Sequence, residues 1–471
     1  MGKCTRPVTT CIDNLVRALS PSYVSKVETD RYRGPIVRLA PNEYSIDDPD
    51  SVQLIYGSKG KFCKGPWYEA STPPGTLHTS IFSDPNIERQ ALHRRRIAHA
   101  YSMTTLVQLE PFINDCTSLL RLRLDELAAT GMLVDIPHWT QSYAFDVIGA
   151  ITFGVRFGFL DKGEDIGGIM SALHSTLIYA ARAGVYAEWS TVLFYLNAIV
   201  SARSMKGMAH TLSYMQKQID ARLDDKSPKA EVTDDDTPVD FITRFLLLRS
   251  ESPERVDRQA IETSALNNLF AGSDTTSISL CSVIYHVYQN SRVLSRLRGE
   301  LDNAVKSGAV GEPITYKQAQ SLPYLQAVIK ESLRCHPAGG LAMGRVVPAG
   351  GAVIAGRVFP AGTVVGINAW VAHANRDIFG EDADQFRPER WLEDPEVVKH
   401  RDAYFLSFGA GTRSCLGKNI ALLEMSKLIP ALVRHYDFQP EHPGRKPRTQ
   451  NDWFVKQVDF RCHVTPRVVA N

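Results

Sequence analysis

The chain has 471 residues, of which 44% are hydrophobic, and a formal charge of +2. This apolar content suffices for a large buried core, and the near-neutral charge gives no reason to expect a nucleic-acid partner. The 8 cysteines are scattered without short paired spacings, so neither a zinc site nor a disulfide framework is expected, and a reducing compartment fits best.

The first half of the chain combines short strands with long helices. Two short strands are predicted at Ile36 to Leu39 and Glu43 to Ile46. Apolar residues at three- and four-residue steps then predict helices that end at Gly131 and Gly154. Beyond Arg334 the pattern changes to short strands with glycine turns. The sequence therefore predicts a mainly α fold of the α-rich α+β class.

No repeat or linker divides the chain into several domains. The most hydrophilic loop, Asp224 to Pro238, is too short and too closely flanked by helices to be a domain linker. We expect a single domain over residues 31–471, preceded by residues 1–30, in which no apolar run is long enough for a signal peptide or a transmembrane anchor. Residues 166–203 are apolar but carry interrupting charges, which leaves open either two packed helices or a membrane-contacting surface.

One long buried helix is predicted from Val256 to Gln289. The segment lacks proline, and at about 1.5 Å per residue it would extend on the order of 50 Å, enough to cross the domain. Its middle, Ala271-Gly272-Ser273-Asp274-Thr275-Thr276, is unfavourable for a helix, because glycine costs about 1 kcal/mol relative to alanine and polar side chains compete for backbone hydrogen bonds. Such residues inside an apolar helix indicate a functional site, although a tolerated kink would give the same pattern.

Charged residues in an apolar context mark two further segments. Glu331 and Arg334 lie one turn apart on a predicted helix, an arrangement that is usually a solvated ion pair of little energy. The second segment, Phe386-Arg387-Pro388-Glu389-Arg390-Trp391, follows the strand-rich region.

A glycine-rich loop near the carboxyl end, Phe408 to Gly417, places Cys415 directly before an apolar helical pattern. A helix amino terminus should lower the pKa of a thiol and favour the thiolate, which is a nucleophile and a metal ligand. The glycines should let the backbone approach something large and flat, and Arg413 offers a cation to a carboxylate. The loop lacks the lysine and hydroxyl pair of a phosphate loop and the third glycine of a dinucleotide fingerprint, which leaves an inert buried cysteine as the simple alternative.

The loop pattern Phe-x-x-Gly-x-Arg-x-Cys-x-Gly closely resembles the cysteine loop of the cytochrome P450 superfamily of haem-thiolate monooxygenases. The Ala-Gly-Ser-Asp-Thr-Thr, Glu-x-x-Arg and Phe-Arg-Pro-Glu-Arg-Trp segments resemble further motifs of this family, in the expected order. Short runs such as Ala100-Tyr101-Ser102-Met103 are similar to the fungal pisatin-demethylase-like group. The resemblance implies a triangular helical domain with a smaller β-rich region, and a haem between the long central helix and the helix after Cys415.

The same resemblance implies roles for individual residues. Cys415 would be the thiolate ligand of haem b, within a loop whose Phe408 and Gly411 also contact the cofactor. Thr275 would hydrogen-bond dioxygen at the haem, with Asp274 helping to relay protons. A structural network that fixes the loop is implied for Glu331, Arg334 and Arg390.

The two propionates of a haem need cations. The resemblance implies Arg413, Arg345 and an arginine of the run His93-Arg94-Arg95-Arg96. Best alignment favours Arg94, but Gln90 stands where the family usually has tryptophan or histidine, so His93 or Arg95 stays open as a substitute for Arg94.

The implied activity is insertion of one oxygen atom into a lipophilic small molecule, by hydroxylation or oxidative demethylation in fungal secondary metabolism. The sequence contains no flavin or nicotinamide fingerprint, so electrons would come from NADPH through a separate reductase. The alternatives are a peroxygenase or isomerase that needs no external electrons, and an inactive haem-binding product. Family members usually work at the endoplasmic reticulum membrane, whereas a chain without an anchor would be cytoplasmic or in peripheral contact with the membrane. Substrate contacts are implied at Phe62 to Phe82, residues 166–203, Asn268, Ala271, Ala338 to Ala342 and Phe454-Val455.

Overall fold

The computed structural model describes residues 34–58, 60–72, 74, 80–200, 202–224, 238–251 and 256–468. The expectations for residues 1–30 and for the interior of the acidic loop after Asp224 lie outside these residues. The α-helices of the described part are, in chain order, α1 Ser51–Tyr56, α2 Ile87–Ile97, α3 Met103–Leu106, α4 Glu110–Thr130, α5 Ile136–Phe153, α6 Phe159–Lys162, α7 Ile169–Ala183, α8 Ser190–Val200, α9 Ala202–Asp224, α10 Phe241–Glu251, α11 Arg258–Tyr288, α12 Ser291–Lys306, α13 Tyr316–Gln320, α14 Pro323–Cys335, α15 Ala369–Ala372, α16 Arg376–Phe379, α17 Pro395–Ala403 and α18 Lys418–His435.

Short 3₁₀ helices connect these elements at Pro66–Ser71, Ala98–Tyr101, Val107–Leu109, Ile166–Gly168, Gly184–Trp189, Pro388–Trp391 and Gly411–Arg413. The strands are β1 Ile36–Ala40, β2 Glu43–Ile46, β3 Cys63–Lys64, β4 Val134–Asp135, β5 Arg345–Val346, β6 Ala352–Ile354, β7 Arg357–Phe359, β8 Val364–Gly366, β9 Tyr436–Pro440, β10 Arg448–Asp452, β11 Phe454–Val458 and β12 Arg461–Pro466. The α-rich α+β prediction is confirmed.

The strands form small sheets beside the helical body. The largest sheet has the order β1-β2-β8-β5-β3, in which β2 and β8 are parallel and the other neighbours antiparallel. A second sheet has the order β4-β12-β9, and β6-β7 and β10-β11 are antiparallel pairs. In the largest sheet Lys64 of β3 pairs directly with Arg345 of β5, which brings two cations side by side.

The long central helix is confirmed, because α11 continues from Arg258 to Tyr288. The hydroxyls in its middle do not interrupt it. Ser273 Oγ donates to Leu269 O at 2.9 Å and Thr275 Oγ1 to Ala271 O at 2.7 Å, each one turn back along the same helix.

Gly272 has a packing role in α11. A Cβ atom at this position would lie 2.9 Å from Ile148 Cδ1 of α5, the helix that packs along α11. The glycine therefore allows the two helices to approach closely, a reason that the sequence motif did not reveal.

Two apolar clusters form the interior of the described chain. The larger cluster joins residues of α4, α5, α11, α12, α14 and α18, and the smaller one lies between the five-stranded sheet and the segment around Trp391 and Tyr404. Within the described residues, none of the helices has the combination of length and hydropathy that a membrane crossing requires. Each cysteine in this part of the chain is a free thiol.

Candidate active site

Cys415 lies in the turn that leads into α18. Its N–H donates to Phe408 O at 2.7 Å, which closes the loop, and part of the residue surface is exposed. Surrounding protein atoms nevertheless desolvate the thiol and raise its pKa, while the N–H groups of Gly417 and Lys418 and the charge of Arg94 act in the opposite direction. In the protein without a bound metal, this desolvation outweighs the lowering of the pKa that the helix terminus was predicted to cause.

The glycines of the loop serve contacts within the protein. Gly411 has a φ of 63°, and a Cβ atom there would lie 1.8 Å from Tyr56 O. Gly409 has a φ of 68°, and its Cβ would lie 3.2 Å from Met343 Sδ. The lack of a side chain at Gly411 thus lets the loop lie against the carboxyl end of α1, and its expected contact with the cofactor stays a prediction. Phe408 packs partly buried against the larger apolar cluster.

The expected network of Glu331, Arg334 and Arg390 is confirmed. The Arg334 guanidinium binds both carboxylate oxygens of Glu331 at 2.8 Å, and Arg390 Nε donates to Glu331 Oε1 at 2.9 Å. Trp391 Nε1 donates to Glu331 Oε2 at 2.9 Å. The three charged side chains are fully buried, so the network is a core element and not a solvated surface pair.

His373, which sequence reasoning missed, links this network to the cysteine loop. Its Nδ1 lies 3.0 Å from Arg334 O, and Leu406 N donates to its Nε2 at 2.8 Å. The second bond makes Nε2 an acceptor, so the proton of the neutral ring is on Nδ1. Burial, and then the charge of Arg334, lowers the pKa of His373 to about 3. The neutral imidazole is therefore the link between α14 and the loop.

Three cations lie close together on one side of the loop. Lys64 and Arg345 are 7% and 4% exposed and occupy directly opposed positions of β3 and β5. Burial and the charges of Arg345 and Arg413 lower the pKa of Lys64, whereas Asp84 raises it. Arg413 Nη1 donates to Asp84 O at 2.7 Å. Buried like charges at opposed strand positions destabilise a sheet unless an anion compensates them, so this cluster is suited to a carboxylate ligand.

Arg94 and Arg95 of α2 have different positions. Arg94 Nη1 donates to Ser414 O at 2.7 Å, next to Cys415. Arg95 is exposed, and its Nε donates to Ala91 O of its own helix at 3.3 Å. Of the two arginines that the sequence left open, Arg94 reaches the cysteine loop, and the placement of Arg95 does not support its expected role.

The middle of α11 combines an accessible surface with a buried acid. Ala271 is exposed and Thr275 partly so, although both lie in the centre of a core helix. Because the Thr275 hydroxyl donates its proton to Ala271 O, Thr275 Oγ1 can only accept further hydrogen bonds. Asp274 is 0% exposed and is contacted by Gln141 Nε2 at Oδ1 and by Lys456 Nζ, 2.8 Å from Oδ2. Lys456 was not predicted from the sequence.

Tyr101 connects the central helix with the helix of the cysteine loop. Its hydroxyl donates to Asn268 Oδ1 of α11 at 2.6 Å, and its carbonyl accepts from Asn419 Nδ2 of α18 at 3.0 Å. The Asn268 amide also donates to Thr152 Oγ1 at 3.2 Å. Asn268 is therefore held in the core at both ends of its amide, and its expected role as a substrate contact stays a prediction.

The segment Ala338 to Ala342 is joined to the β10-β11 hairpin. Val455 N donates to Ala338 O at 2.9 Å and Gly340 N to Trp453 O at 2.8 Å. Trp453, at the tip, has a φ of 85°, which is a strained conformation for a bulky residue. The expected substrate segments 338–342 and 454–455 are therefore neighbours.

Comparison with known proteins identifies the family. The cytochrome P450 family model matches residues 20–460. The chain is a member of the cytochrome P450 family. It is 36% identical over 445 residues to a pisatin demethylase of Fusarium vanettenii, with 94% of this chain and 83% of the relative covered. It is also 35% identical to the cytochrome P450 monooxygenase cicH of Emericella nidulans, over 95% of this chain and 89% of that protein. A cytochrome P450 monooxygenase of Aspergillus terreus is 37% identical over 86% of this chain and 83% of its own length.

As a cytochrome P450, the protein is an oxidoreductase that incorporates oxygen, and the family uses haem with a thiolate ligand. The residues present fit that group. Cys415 supplies one accessible thiol, and the buried Lys64 and Arg345 with the half-buried Arg413 match the negative charge of two propionates. Buried positive charge is costly unless an anion balances it.

Proposed function

We propose that this cytochrome P450 is a monooxygenase that oxidises a lipophilic small molecule, with Cys415 as the haem ligand and Thr275 and Asp274 as the proton-handling residues. The observation that carries the proposal is the link through Tyr101 between α11 and α18, because it fixes the polar centre of α11 relative to the cysteine loop. The reaction consumes one substrate C–H bond, dioxygen, two electrons and two protons, and yields an alcohol and water. Hydroxylation of an O-methyl group would release the methyl carbon as formaldehyde, which is oxidative demethylation.

Individual residues of the protein would have separate roles in this reaction. Lys64, Arg345 and Arg413 would bind the propionates, and Arg94 would hold the cysteine loop through Ser414 O. The bound haem supplies the site at which dioxygen is activated. Thr275 Oγ1, whose proton is donated to the helix, would accept a hydrogen bond from a water molecule and so keep a proton donor at that position.

We assign electron supply to a separate NADPH-dependent reductase. Arg95 and Arg96 are exposed on α2, the helix whose Arg94 contacts the cysteine loop. A basic surface at this place favours docking of an acidic redox partner. The alternative, a peroxygenase or isomerase without external electrons, has no need of a buried acid beside Thr275, and Asp274 therefore favours the monooxygenase.

An aromatic cluster supports a lipophilic substrate. The Trp453 ring lies 4.7 Å from Trp67, 5.4 Å from Phe82 and 5.2 Å from Phe454. Trp67, Phe82 and Phe454 come from the expected substrate segments and Trp453 directly precedes one of them, and apolar and aromatic linings are typical of small-molecule pockets. We propose this cluster as one wall of the substrate pocket, in an enzyme of fungal secondary metabolism.

Peripheral contact with the endoplasmic reticulum membrane is the localisation that we propose. The segment from the end of α7 through α8 exposes large apolar side chains, namely Val185, Tyr186, Trp189, Val192, Tyr195, Leu196 and Ile199. An exposed apolar patch of this kind marks an interaction site. Serine at Trp189 and Ile199 should reduce cosedimentation with phosphatidylcholine vesicles, and unchanged cosedimentation would contradict the assignment.

The proposed reaction is tested with isotopically labelled dioxygen, an NADPH-dependent flavoprotein reductase and a panel of lipophilic candidates. A monooxygenase places one labelled atom in the product and the other in water, and needs NADPH. Product formation that requires added peroxide and carries no label would instead establish the peroxygenase.

A further inference from the structure

A cavity of about 100 Å³ lies between α4, α18 and the loop of residues 307–315 that joins α12 to α13. Within the described part of the chain, its lining includes none of the residues assigned to the haem, to proton handling or to the substrate. A cavity of this volume has room for several water molecules or for one small organic molecule. The cavity is therefore a candidate binding site apart from the active site.

Two arginines of the lining share one carboxylate. Arg121 Nη1 of α4 donates to Glu312 Oε1 at 2.7 Å, and Arg434 Nη1 of α18 donates to Glu312 Oε2 at 3.1 Å. His435 Nε2 also lies 2.7 Å from Glu312 Oε1, but burial, and then the charge of Arg121, lowers the pKa of this histidine, so the ring is neutral at pH 7. Asp125, the next carboxylate along α4, is exposed and so screened by water. Two permanent positive charges therefore face one negative charge.

Lys427, the third cation of the lining, does not change this balance. Its side chain is 2% exposed, and its Nζ donates to Glu110 Oε2 at 2.6 Å and to Ile314 O. The lysine is thus neutralised within the protein, and its bond to Ile314 O fastens the loop to α18. One positive charge, which Arg121 and Arg434 carry together, remains for a ligand.

Three buried polar atoms of the lining residues indicate that such a ligand is needed. These atoms are Nε of Arg121, Nε of Arg434 and Oδ1 of Asn114, none of which forms a hydrogen bond with a described residue. Buried polar atoms nearly always have a hydrogen-bond partner, so their presence here indicates bound water or a ligand. The two Nε–H groups need an acceptor, which a carboxylate provides, and Asn114 Oδ1 needs a donor, which water provides.

The rest of the lining is largely apolar. Leu301 of α12 and Val310 and Ile314 of the loop are buried, and Pro430 and Ala431 of α18 also line the cavity. Apolar walls with a few convergent polar groups are typical of small-molecule sites, whereas water is held well only where it has several polar partners. The lining therefore favours an anion with a hydrocarbon part over an inorganic anion or water alone.

We propose that this cavity binds a small organic monocarboxylate. The carboxylate accepts hydrogen bonds from the guanidinium groups of Arg121 and Arg434, and the hydrocarbon part lies against Leu301, Val310 and Pro430. Because the two arginines belong to α4 and α18, the bound ligand joins these helices and stabilises the folded protein. This inference does not depend on the proposed monooxygenase reaction.

The test is a calorimetric titration of the haem-loaded full chain with benzoate. Imidazole saturates the iron, so that binding of benzoate at the iron is excluded. Neutral benzamide is the control for the charge, and inorganic phosphate is the control for the hydrocarbon part. We expect saturable binding of benzoate at one site, and binding at least about 10-fold weaker for benzamide and for phosphate, because hydrogen bonds to charged groups are the stronger ones and because phosphate buries no apolar surface.

Two variants locate the bound benzoate. Arg434→Met removes one cation and should weaken benzoate binding about 10-fold or more. Ala431→Leu fills the cavity without a change of charge and should abolish the binding. Arg376→Met is the matched control, because Arg376 forms an exposed ion pair with Glu381, and it should bind benzoate as the wild type does.

Thermal unfolding gives a second readout. Benzoate should raise the unfolding midpoint of the wild type and leave that of Ala431→Leu unchanged, since a ligand that binds only the folded state stabilises it. Binding that persists at wild-type affinity in Ala431→Leu and in Arg434→Met would place benzoate elsewhere and overturn the proposal. An absence of saturable binding would show a cavity that holds water only, and equal affinity for benzamide or phosphate would contradict an organic carboxylate. If Ala431→Leu does not fold, Arg434→Met alone decides between these outcomes.

Discussion

Replacement of His373 by phenylalanine should loosen the cysteine loop from its buried support. Phenylalanine keeps the ring that stacks on Phe405 at 5.3 Å but removes both hydrogen bonds of the imidazole. Leu406 N–H and Arg334 C=O would then lose these bonds in the core. Each buried backbone group without a hydrogen bond costs about 1–3 kcal/mol, so we expect His373→Phe to lower the free energy of unfolding by about 2–6 kcal/mol at pH 7.

The same variant should alter the response to acid. The pKa of His373 is about 3 in the folded protein against 6.5 as its ordinary value. Below pH 6.5 the unfolded chain binds a proton that the folded chain does not, so stability falls by about 1.4 kcal/mol per pH unit until about pH 3. At pH 5 the wild type has lost about 2 kcal/mol through this residue, and the difference from His373→Phe should shrink by that amount.

Denaturant unfolding of the haem-loaded protein, followed by the haem absorbance, measures both effects. His373→Gln, which retains a donor and an acceptor, should recover part of the loss. His400→Phe on the surface of α17 serves as the control for an added aromatic ring. A loss below about 1 kcal/mol, or a difference between wild type and variant that does not change with pH, would refute the link through His373.

Three further outcomes follow from the site and its surroundings. Lys64→Met should lower haem affinity about 10-fold or more, since a hydrogen bond to a charged group contributes about 1.5–3 kcal/mol. The same substitution should stabilise the haem-free protein, because it relieves the repulsion between Lys64 and Arg345. A variant that loses both haem affinity in a titration and stability in unfolding would contradict this expectation. Burial raises the pKa of Glu424 well above 4.5, and neither carboxylate oxygen has a hydrogen-bond partner among the described residues. The stability that the bound proton of Glu424 provides is present below pH 4.5 and is lost as the pH rises. Glu424→Met should therefore flatten the dependence of the free energy of unfolding on pH above pH 4.5 and raise that free energy by up to about 3 kcal/mol at pH 7. An unchanged pH dependence would show that Glu424 is ionised in the folded protein. Thr275→Ala should raise peroxide release per NADPH while haem binding stays intact, and unchanged coupling would remove Thr275 from proton handling.

Features that depend on local pattern were predictable from the sequence. The α-rich fold and the central helix followed from periodicity. The network of Glu331, Arg334 and Arg390 was implied by the family resemblance of their motifs, whereas the spacing of Glu331 and Arg334 alone favoured a solvated pair. Contacts between distant short elements were not predictable. Lys64 meets Arg345 only because two strands of two residues each become neighbours, and Lys456 reaches Asp274 only because the hairpin lies along α11.

Sequence-based interpretation was incomplete where the presence of a residue has both a functional and a packing explanation. Gly272 was interpreted as part of a functional motif and Gly411 as a place where the backbone approaches a large flat group, and each also has a packing role, because a side chain there would collide with Ile148 or with Tyr56 O. The pKa of Cys415 was expected to fall at a helix terminus, whereas burial, which depends on the whole fold, dominates. Such competing effects are decided by tertiary packing, which no local pattern contains.

The central claim is that Cys415 binds haem iron as a thiolate. The absorbance spectrum of the reduced protein under carbon monoxide tests this directly. We expect the red-shifted Soret band of thiolate ligation in the wild type and its loss in Cys415→Ser. A spectrum of the imidazole type, or a thiolate band that persists in Cys415→Ser, would contradict the assignment.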